Sequence, residues 1–189
     1  MIRAEYKDKN RIVDILTMSF DANKSVNYIV KQDRKRVQRL RKLMKYSFEV
    51  CFLFGDVFLS EDKNACALIL LPDKKKTTFK SVLLDIKLIY FSTGVANISK
   101  ALKRESEIKK HHPADPIYYL WFIGVDPNVQ NKGIGSNLLQ EIIQEGLSLK
   151  RKICLETSTE KNIPWYKKFG FSIYQELDFG YRLFCMKRE

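Results

Sequence analysis

Leu120-Trp121-Phe122-Ile123-Gly124-Val125-Asp126-Pro127-Asn128-Val129-Gln130-Asn131-Lys132-Gly133-Ile134-Gly135 is the stretch whose reading decides the fold. Leu120 to Val125 is an apolar run that reads as a strand, and Asp126-Pro127 stops it. A short polar loop leads to Gln130-Asn131-Lys132-Gly133-Ile134-Gly135, after which apolar residues recur with helical period. A strand feeding a glycine-rich loop that opens a helix is how a chain builds a phosphate cradle. Glycines let the backbone approach an anion with no Cβ in the way. The free N–H groups of the first helical turn, at the positive end of the helix dipole, then bind it. A phosphorylated ligand is the expectation.

Outward from this stretch, the order is mixed α/β. Ile2 to Glu5 reads as a first strand. Lys9 to Phe20 reads as an amphipathic helix with Ile12, Ile15, Leu16 and Phe20 on one face. Asp33 to Phe48 reads as a second helix, with Val37, Leu40, Met44 and Phe48 inward. Glu49 to Ser60 and Ala65 to Leu71 read as strands joined by a turn, and Pro72 ends the second. Phe79 to Glu107 is largely helical in pattern, broken near Gly94, and Lys109 to Pro113 reads as a polar linker. Tyr118 to Val125 is the central strand, Gly133 to Leu149 a helix, and Ile153 to Thr157 a strand. Asn162 to Phe169 reads as a short helix stopped by Gly170. Phe171 to Gln175 and Tyr181 to Met186 complete the sheet. No repeat or domain-scale linker interrupts residues 1–189, so one domain is expected.

Composition narrows the class. Apolar residues make up 45% of the 189 residues, an ordinary globular share. No apolar run approaches the roughly 20 residues of a membrane span, and the N-terminus lacks a secretory signal pattern. A cytoplasmic protein without membrane contact, monomer or homodimer, is expected. Cys51, Cys66, Cys154 and Cys185 are far apart, all in expected strands, and read as buried thiols, not disulfides or metal ligands. With 34 Lys and Arg against 22 Asp and Glu, the formal charge of +12 favours anionic ligands. Arg34, Lys35, Arg36, Arg39, Arg41, Lys42 and Lys45 form one helix face that a nucleic-acid reader would want. A solvated surface is the plainer reading of that face, so nucleic acid is not an expected partner.

Three phosphate-binding motifs compete. A Walker A loop needs GxxxxGK followed by Ser or Thr, and the chain has none. A Rossmann fingerprint needs GxGxxG in the turn directly after the strand. Here the third position is Leu138, the loop intervenes, and too little chain follows Glu156 for the rest of a dinucleotide fold. The third motif is Gln-x-x-Gly-x-Gly, at Gln130, Gly133 and Gly135. Ile123-Gly124-Val125-Asp126-Pro127 stands before it, and Trp165-Tyr166-Lys167-Lys168-Phe169-Gly170-Phe171 after it. With these elements in this order, Tyr118 to Phe171 resembles the GNAT superfamily of acetyl-CoA-dependent N-acetyltransferases. Tyr-Leu before the strand core, Gly-Ile-Gly-Ser in the loop and Leu-Glu-Thr-Ser in the next strand are similar to the branch containing puromycin acetyltransferase.

The resemblance implies a mixed, mostly antiparallel twisted sheet with a central splayed parallel strand pair and helices on both faces, the acyl-CoA N-acyltransferase fold. It implies acetyl-CoA as cofactor. Backbone groups near Ile123 and Val125 would take the pantetheine arm as an added strand. The N–H groups of Gln130, Asn131, Lys132, Gly133, Ile134, Gly135 and Ser136 would take the pyrophosphate. Asn162 matches a position that contacts the pantetheine arm, and it also suits a helix cap with Pro164 in the first turn. Tyr166 matches the tyrosine that protonates the departing sulfur; a phenol with a pKa of about 10 arrives protonated.

The residues themselves leave the base open. Glu156 lies on the strand face opposite Ile153 and Leu155, and suits either proton abstraction from the amine or a buried ion pair with Lys or Arg. His111 and His112 read as linker residues. No His-based metal site is expected, and no nucleophile elbow supports a serine hydrolase. An aromatic pocket of Tyr118, Trp121 and Tyr28 is expected to receive a flat amine acceptor.

Overall fold

A computed structural model describes residues 1–94 and 97–189. Among them run β1 (Ile2–Arg3), α1 (Lys9–Ser19), α2 (Lys24–Ile29), α3 (Arg36–Phe54), β2 (Gly55–Leu59), β3 (Ala65–Leu70) and α4 (Phe79–Leu88). They continue with α5 (Ile98–Lys110), β4 (Ile117–Val125), α6 (Ile134–Ser148), β5 (Lys152–Thr157), α7 (Ile163–Lys168), β6 (Ser172–Asp178) and β7 (Arg182–Arg188). A π-helical turn, Ile89–Thr93, prolongs α4 up to Gly94. The helical expectation over Phe79 to Glu107 is met on both sides of Gly94, and its Val95 and Ala96 lie outside the described residues.

One sheet runs in the order β1-β2-β3-β4-β5-β7-β6. Every neighbouring pair is antiparallel except β4 with β5. That pair needs a crossover, and α6 supplies it. Two cores lie on opposite faces of the sheet. One packs α1 and α3 against Cys66, Leu68, Tyr119, Phe122 and Cys154. The other packs α6 and α7 against Ala67, Ile69, Tyr118, Leu120, Ile153 and Leu155. The alternation of β5 between them, Ile153 and Leu155 to one side and Cys154 to the other, is the period-2 rule at work.

The boundary between α3 and β2 differs from the sequence expectation. Glu49 to Phe54, read as the start of a strand, continues α3. Ser47, Phe48, Val50, Cys51 and Phe54 are buried while Phe52 and Leu53 are exposed, a helical stripe and not an alternation. Cys51 is accordingly a helix residue. Val37, expected inward, is 53% exposed in the first turn of α3, because the core face of that helix begins at Leu40.

Two irregularities shape the middle of the sheet. Leu68 pairs with Phe122 while Ile69 pairs with Leu120, so Trp121 is an extra residue, a β-bulge in β4. The bulge turns Trp121 and Phe122 to the same core. The parallel pairing of β4 and β5 covers only Ile117–Tyr119 against Lys152–Cys154. Beyond it the two strands continue, to Val125 and Thr157, without pairing to each other.

Candidate active site

The gap between the unpaired halves of β4 and β5 is bordered by backbone that faces it. The Asp126 amide donates to the Asn64 carbonyl at 2.8 Å, toward β3. Backbone groups alternate in direction along an antiparallel strand, so the amides and carbonyls of Ile123 and Val125 turn away from β3, toward the gap. At the end of β4 the Val125 carbonyl accepts from Ser19 Oγ at 2.8 Å. Gln130 Nε2 reaches the same oxygen at 3.4 Å. Asp126 pins the turn by accepting from Asn128 N at 3.0 Å and pairing with Arg11 at 3.0 Å. The Asn128 amide, followed by the Arg11 guanidinium, holds its carboxyl below the usual carboxylate range.

The glycine-rich loop has the backbone shape a cradle requires. Asn131 has φ 65° and Gly133 φ 78°, both in the left-handed region. The first helical bond of α6 runs from the Asn137 amide to the Gly133 carbonyl. The amides of Ile134, Gly135 and Ser136 therefore stand at the helix start without intrahelical partners. A Cβ on Gly135 would lie 3.0 Å from Val125 Cγ2, so glycine is what lets α6 begin this close to the end of β4. Asn131, Lys132 and Gly133 are exposed, and Lys132 makes no ion pair among the described residues. Ser136 Oγ accepts from Trp165 Nε1 at 3.0 Å, which ties α7 to the cradle.

Tyr166 sits on α7, 6% exposed, its ring 4.8 Å from that of Trp165 and 5.8 Å from that of Phe171. Its hydroxyl has no hydrogen-bond partner among the described residues, and burial pushes its pKa up. Asn162 is at the N-cap position of α7, but its side chain accepts no cap bond, so the capping alternative is not used.

Glu156 lies on the other face of the sheet from Tyr166, on the side of Tyr119 and Cys154. Its side chain is 5% exposed. It accepts a short hydrogen bond from the Tyr119 hydroxyl, and His112 Nε2 stands 3.4 Å from its other oxygen. Neither Lys nor Arg pairs with it among the described residues. Burial and the Glu156 charge raise the Tyr119 pKa well above its ordinary value. Just past the end of β5, Arg104 donates from Nε to the Tyr181 hydroxyl at 3.0 Å and from Nη2 to Ser25 Oγ at 2.6 Å. The Ser25 amide donates in turn to Ser158 Oγ at 3.3 Å.

The sequence reading missed Tyr119, His112 and Arg104. The signal for Tyr119 was present: once β4 and β5 are parallel with Tyr119 opposite Cys154, the next residue on that face of β5 is Glu156. His112, read as linker, is a half-turn beyond α5 and folds back onto the carboxylate. The expected aromatic pocket does not assemble. Tyr118 is fully buried beneath α6 on the opposite face from Trp121, with its hydroxyl unpartnered. A Cβ on Gly146 would touch its ring at 3.1 Å. Trp121 packs with Tyr46 and Phe122, whereas Tyr28 packs with Phe179 and Tyr181. The reason is parity: Tyr118 and Trp121 are three residues apart on one strand and so point to opposite faces, Trp121 sharing the face of Tyr119.

Known proteins share both the motif region and the whole architecture. Residues 94–173 match the family described as acetyltransferase (GNAT) domain. A structure described as histone acetyltransferase HPA2 and related acetyltransferase from Corynebacterium glutamicum superposes with a TM-score of 0.73 at 19% identity, over 99% of this chain and 93% of that one. The C-terminal condensation domain of Ebony, in complex with beta-alanyl-dopamine, gives 0.73 at 9% identity over 100% and 97%. Arylalkylamine N-acetyltransferase 2 from Aedes aegypti gives 0.63 at 16% identity over 99% and 96%. The open mixed sheet, the parted parallel pair and the glycine-rich loop all agree with the match of residues 94–173 to the acetyltransferase (GNAT) domain.

Proposed function

We propose that this acyltransferase uses acetyl-CoA and transfers its acetyl group to a primary amine of a small molecule or protein, by direct attack within a ternary complex. The observation that carries the reading is the gap where β4 and β5 stop pairing, with the amides of Ile123 and Val125 turned toward it. Acetyl-CoA supplies a thioester carbonyl and a thiolate leaving group. The inward amides of Ile123 and Val125 pair with an extended arm laid in the gap, and the Val125 amide is placed to donate to a carbonyl oxygen there. The amides of Gly133 to Ser136, with Lys132 beside them, receive the diphosphate.

Two side chains on opposite faces of the sheet then carry the proton transfers. Tyr166 keeps its proton, because burial disfavours the phenolate, and gives it to the departing sulfur. Glu156, steadied by Tyr119 and His112, takes the proton of the attacking amine, directly or through water. Asn162, left uncommitted as a cap, is available to the arm. Tyr28, Phe179 and Tyr181, beside Arg104, and separately Trp121, wall the acceptor side.

The basic face of α3 supports a solvated surface more than a nucleic-acid contact: Arg36 pairs with Asp21, Arg39 with Asp33 and Arg41 with Asp14. The reading is tested by calorimetric titration of the protein and of Gly133→Asp with acetyl-CoA and CoA. A Cβ at Gly133 meets open space, and Asp tolerates the left-handed φ of 78° better than most side chains, so the substitution places a negative charge in the cradle; unchanged circular dichroism of the variant checks that the strain leaves the fold intact. Micromolar binding that the variant loses, followed by thiol release with an amine, supports it. Equal binding by both proteins, or none by either, refutes it.

A further inference from the structure

α4 is apolar on the face it should present to water. Leu84 and Leu88 pack inward against the α1–α3 core, and Ser81 is buried. On the opposite side Phe79 is 87% exposed, Ile86 57% and Tyr90 74%, with Val82 and Leu83 also exposed. At 100° per residue, Phe79, Val82, Leu83 and Ile86 fall within an arc of about 100°. A helix at a water interface normally fills that arc with polar residues. Scattered exposed apolar residues need no explanation, but a contiguous stripe marks an interaction surface.

Lysines surround this stripe. Lys74, Lys75 and Lys76 immediately precede the helix, Lys80 is in its first turn and Lys87 in its last. All five are exposed, and none is in an ion pair among the described residues. Both carboxylates of the segment are already engaged: Asp73 with Arg151 at 2.7 Å, Asp85 with the Tyr46 hydroxyl at 2.7 Å. The placement of Lys74, Lys75, Lys76 and Lys80 does not serve the helix, because cations at an N-terminus oppose the dipole; only Lys87, in the last turn, suits it. A hydrogen-bonded capping box between Thr78 and Ser81 starts the helix instead.

We propose that α4 lies on an anionic lipid surface, its apolar stripe entering the boundary between headgroups and acyl chains while Lys74–Lys76, Lys80 and Lys87 meet lipid phosphates. An exposed apolar stripe bordered by unpaired lysines is the signature of a helix lying in the membrane plane. Neither a free protein partner nor a second copy of this chain matches it as well: a copy brings the same five positive charges to the interface, which repel. The expectation of no membrane contact rested on the missing long apolar run, and a surface-lying helix needs none. Among the described residues no single helix is long and apolar enough to cross a membrane.

The full chain is spun with vesicles of phosphatidylcholine alone and of phosphatidylcholine with about 30 mol% phosphatidylserine, at about 0.1 M and about 0.5 M salt. Binding to the anionic vesicles at low salt, at least about tenfold weaker on neutral vesicles and at high salt, is expected. Phe79→Glu with Ile86→Glu, and separately Lys74→Ser, Lys75→Ser and Lys76→Ser together, should each lose about tenfold or more of that binding with unchanged circular dichroism. These side chains are exposed, so the variants fold. Equal binding of wild type and both variants overturns the proposal. So does no binding by the folded wild type, or a wild-type dimer in sedimentation that the Phe79/Ile86 variant dissociates.

Discussion

Replacing Tyr166 by Phe removes one hydroxyl and leaves the ring that packs with Trp165 and Phe171. That hydroxyl has no hydrogen-bond partner among the described residues, so no partner there is stranded. The melting temperature should move by no more than about 2 °C. Catalysis should respond differently. A positioned general acid contributes about 10²–10⁴-fold, or about 2.7–5.4 kcal/mol of barrier. The expected result is a fall of that size in kcat, with acetyl-CoA affinity within about threefold, because the hydroxyl acts on the sulfur only as the bond breaks. Thiol release followed with a chromogenic disulfide reports kcat, and calorimetry reports affinity. Burial keeps the phenol's pKa above its ordinary value of about 10, so the wild-type rate should show no alkaline fall from this group below that pH. A variant within about fivefold of wild-type kcat across the pH range refutes the acid role.

Other consequences are equally direct. Tyr119→Phe removes the donor to Glu156 and should cost about 1.5–3 kcal/mol, lowering the melting temperature by about 3–12 °C, where Tyr166→Phe does not. Gly146→Val drives a side chain into Ile153 Cγ1, which a Cβ alone would approach to 2.9 Å. With Ile153 and Tyr118 fully buried, denaturant titration should show a loss of about 1–3 kcal/mol. Burial raises the thiol pKa of Cys51 and Cys66, and pushes those of Cys154 and Cys185 up to about 12. Above the ordinary thiol value of about 8.5, the unfolded chain therefore loses protons that the folded chain keeps. Stability should fall with rising pH from there, by about 1.4 kcal/mol per pH unit per thiol, up to the folded values. Urea melts between about pH 7.5 and 10 check this, and Cys154→Ala should flatten the slope.

Much of this fold was legible because strand, loop and helix signals reinforced each other from Tyr118 to Phe171. Leu120 to Val125 is a continuous apolar run stopped by Asp126-Pro127, the loop after it carries Gly133 and Gly135, and Leu138, Leu139, Ile142 and Ile143 repeat with helical period. Errors fell where one apolar run fits two periods. Val50-Cys51-Phe52-Leu53-Phe54 is rich in strand formers, yet tertiary contacts keep it helical. The bulge at Trp121 left no composition signal, but the aromatic pocket failed on plain alternation, since Tyr118 and Trp121 three residues apart on one strand face opposite ways. His112 and Arg104 reach Glu156 and Tyr181 from α5 and its end, through contacts that no spacing along the chain encodes.

Among the described residues, the three residue pairs joining β4 to β5 are the only sheet contacts between β1–β4 and β5–β7. The sheet is thus two rafts moored at one end. On the reading proposed above, the cofactor's arm supplies the missing mooring. Saturating ligand should then slow hydrogen exchange along Leu120 to Val125 and Leu155 to Thr157, beyond the residues that hold the diphosphate. It should also raise the melting temperature with ligand concentration, as binding to the folded state requires. The cofactor would be a reactant in the chemistry and, in the architecture, a removable eighth strand.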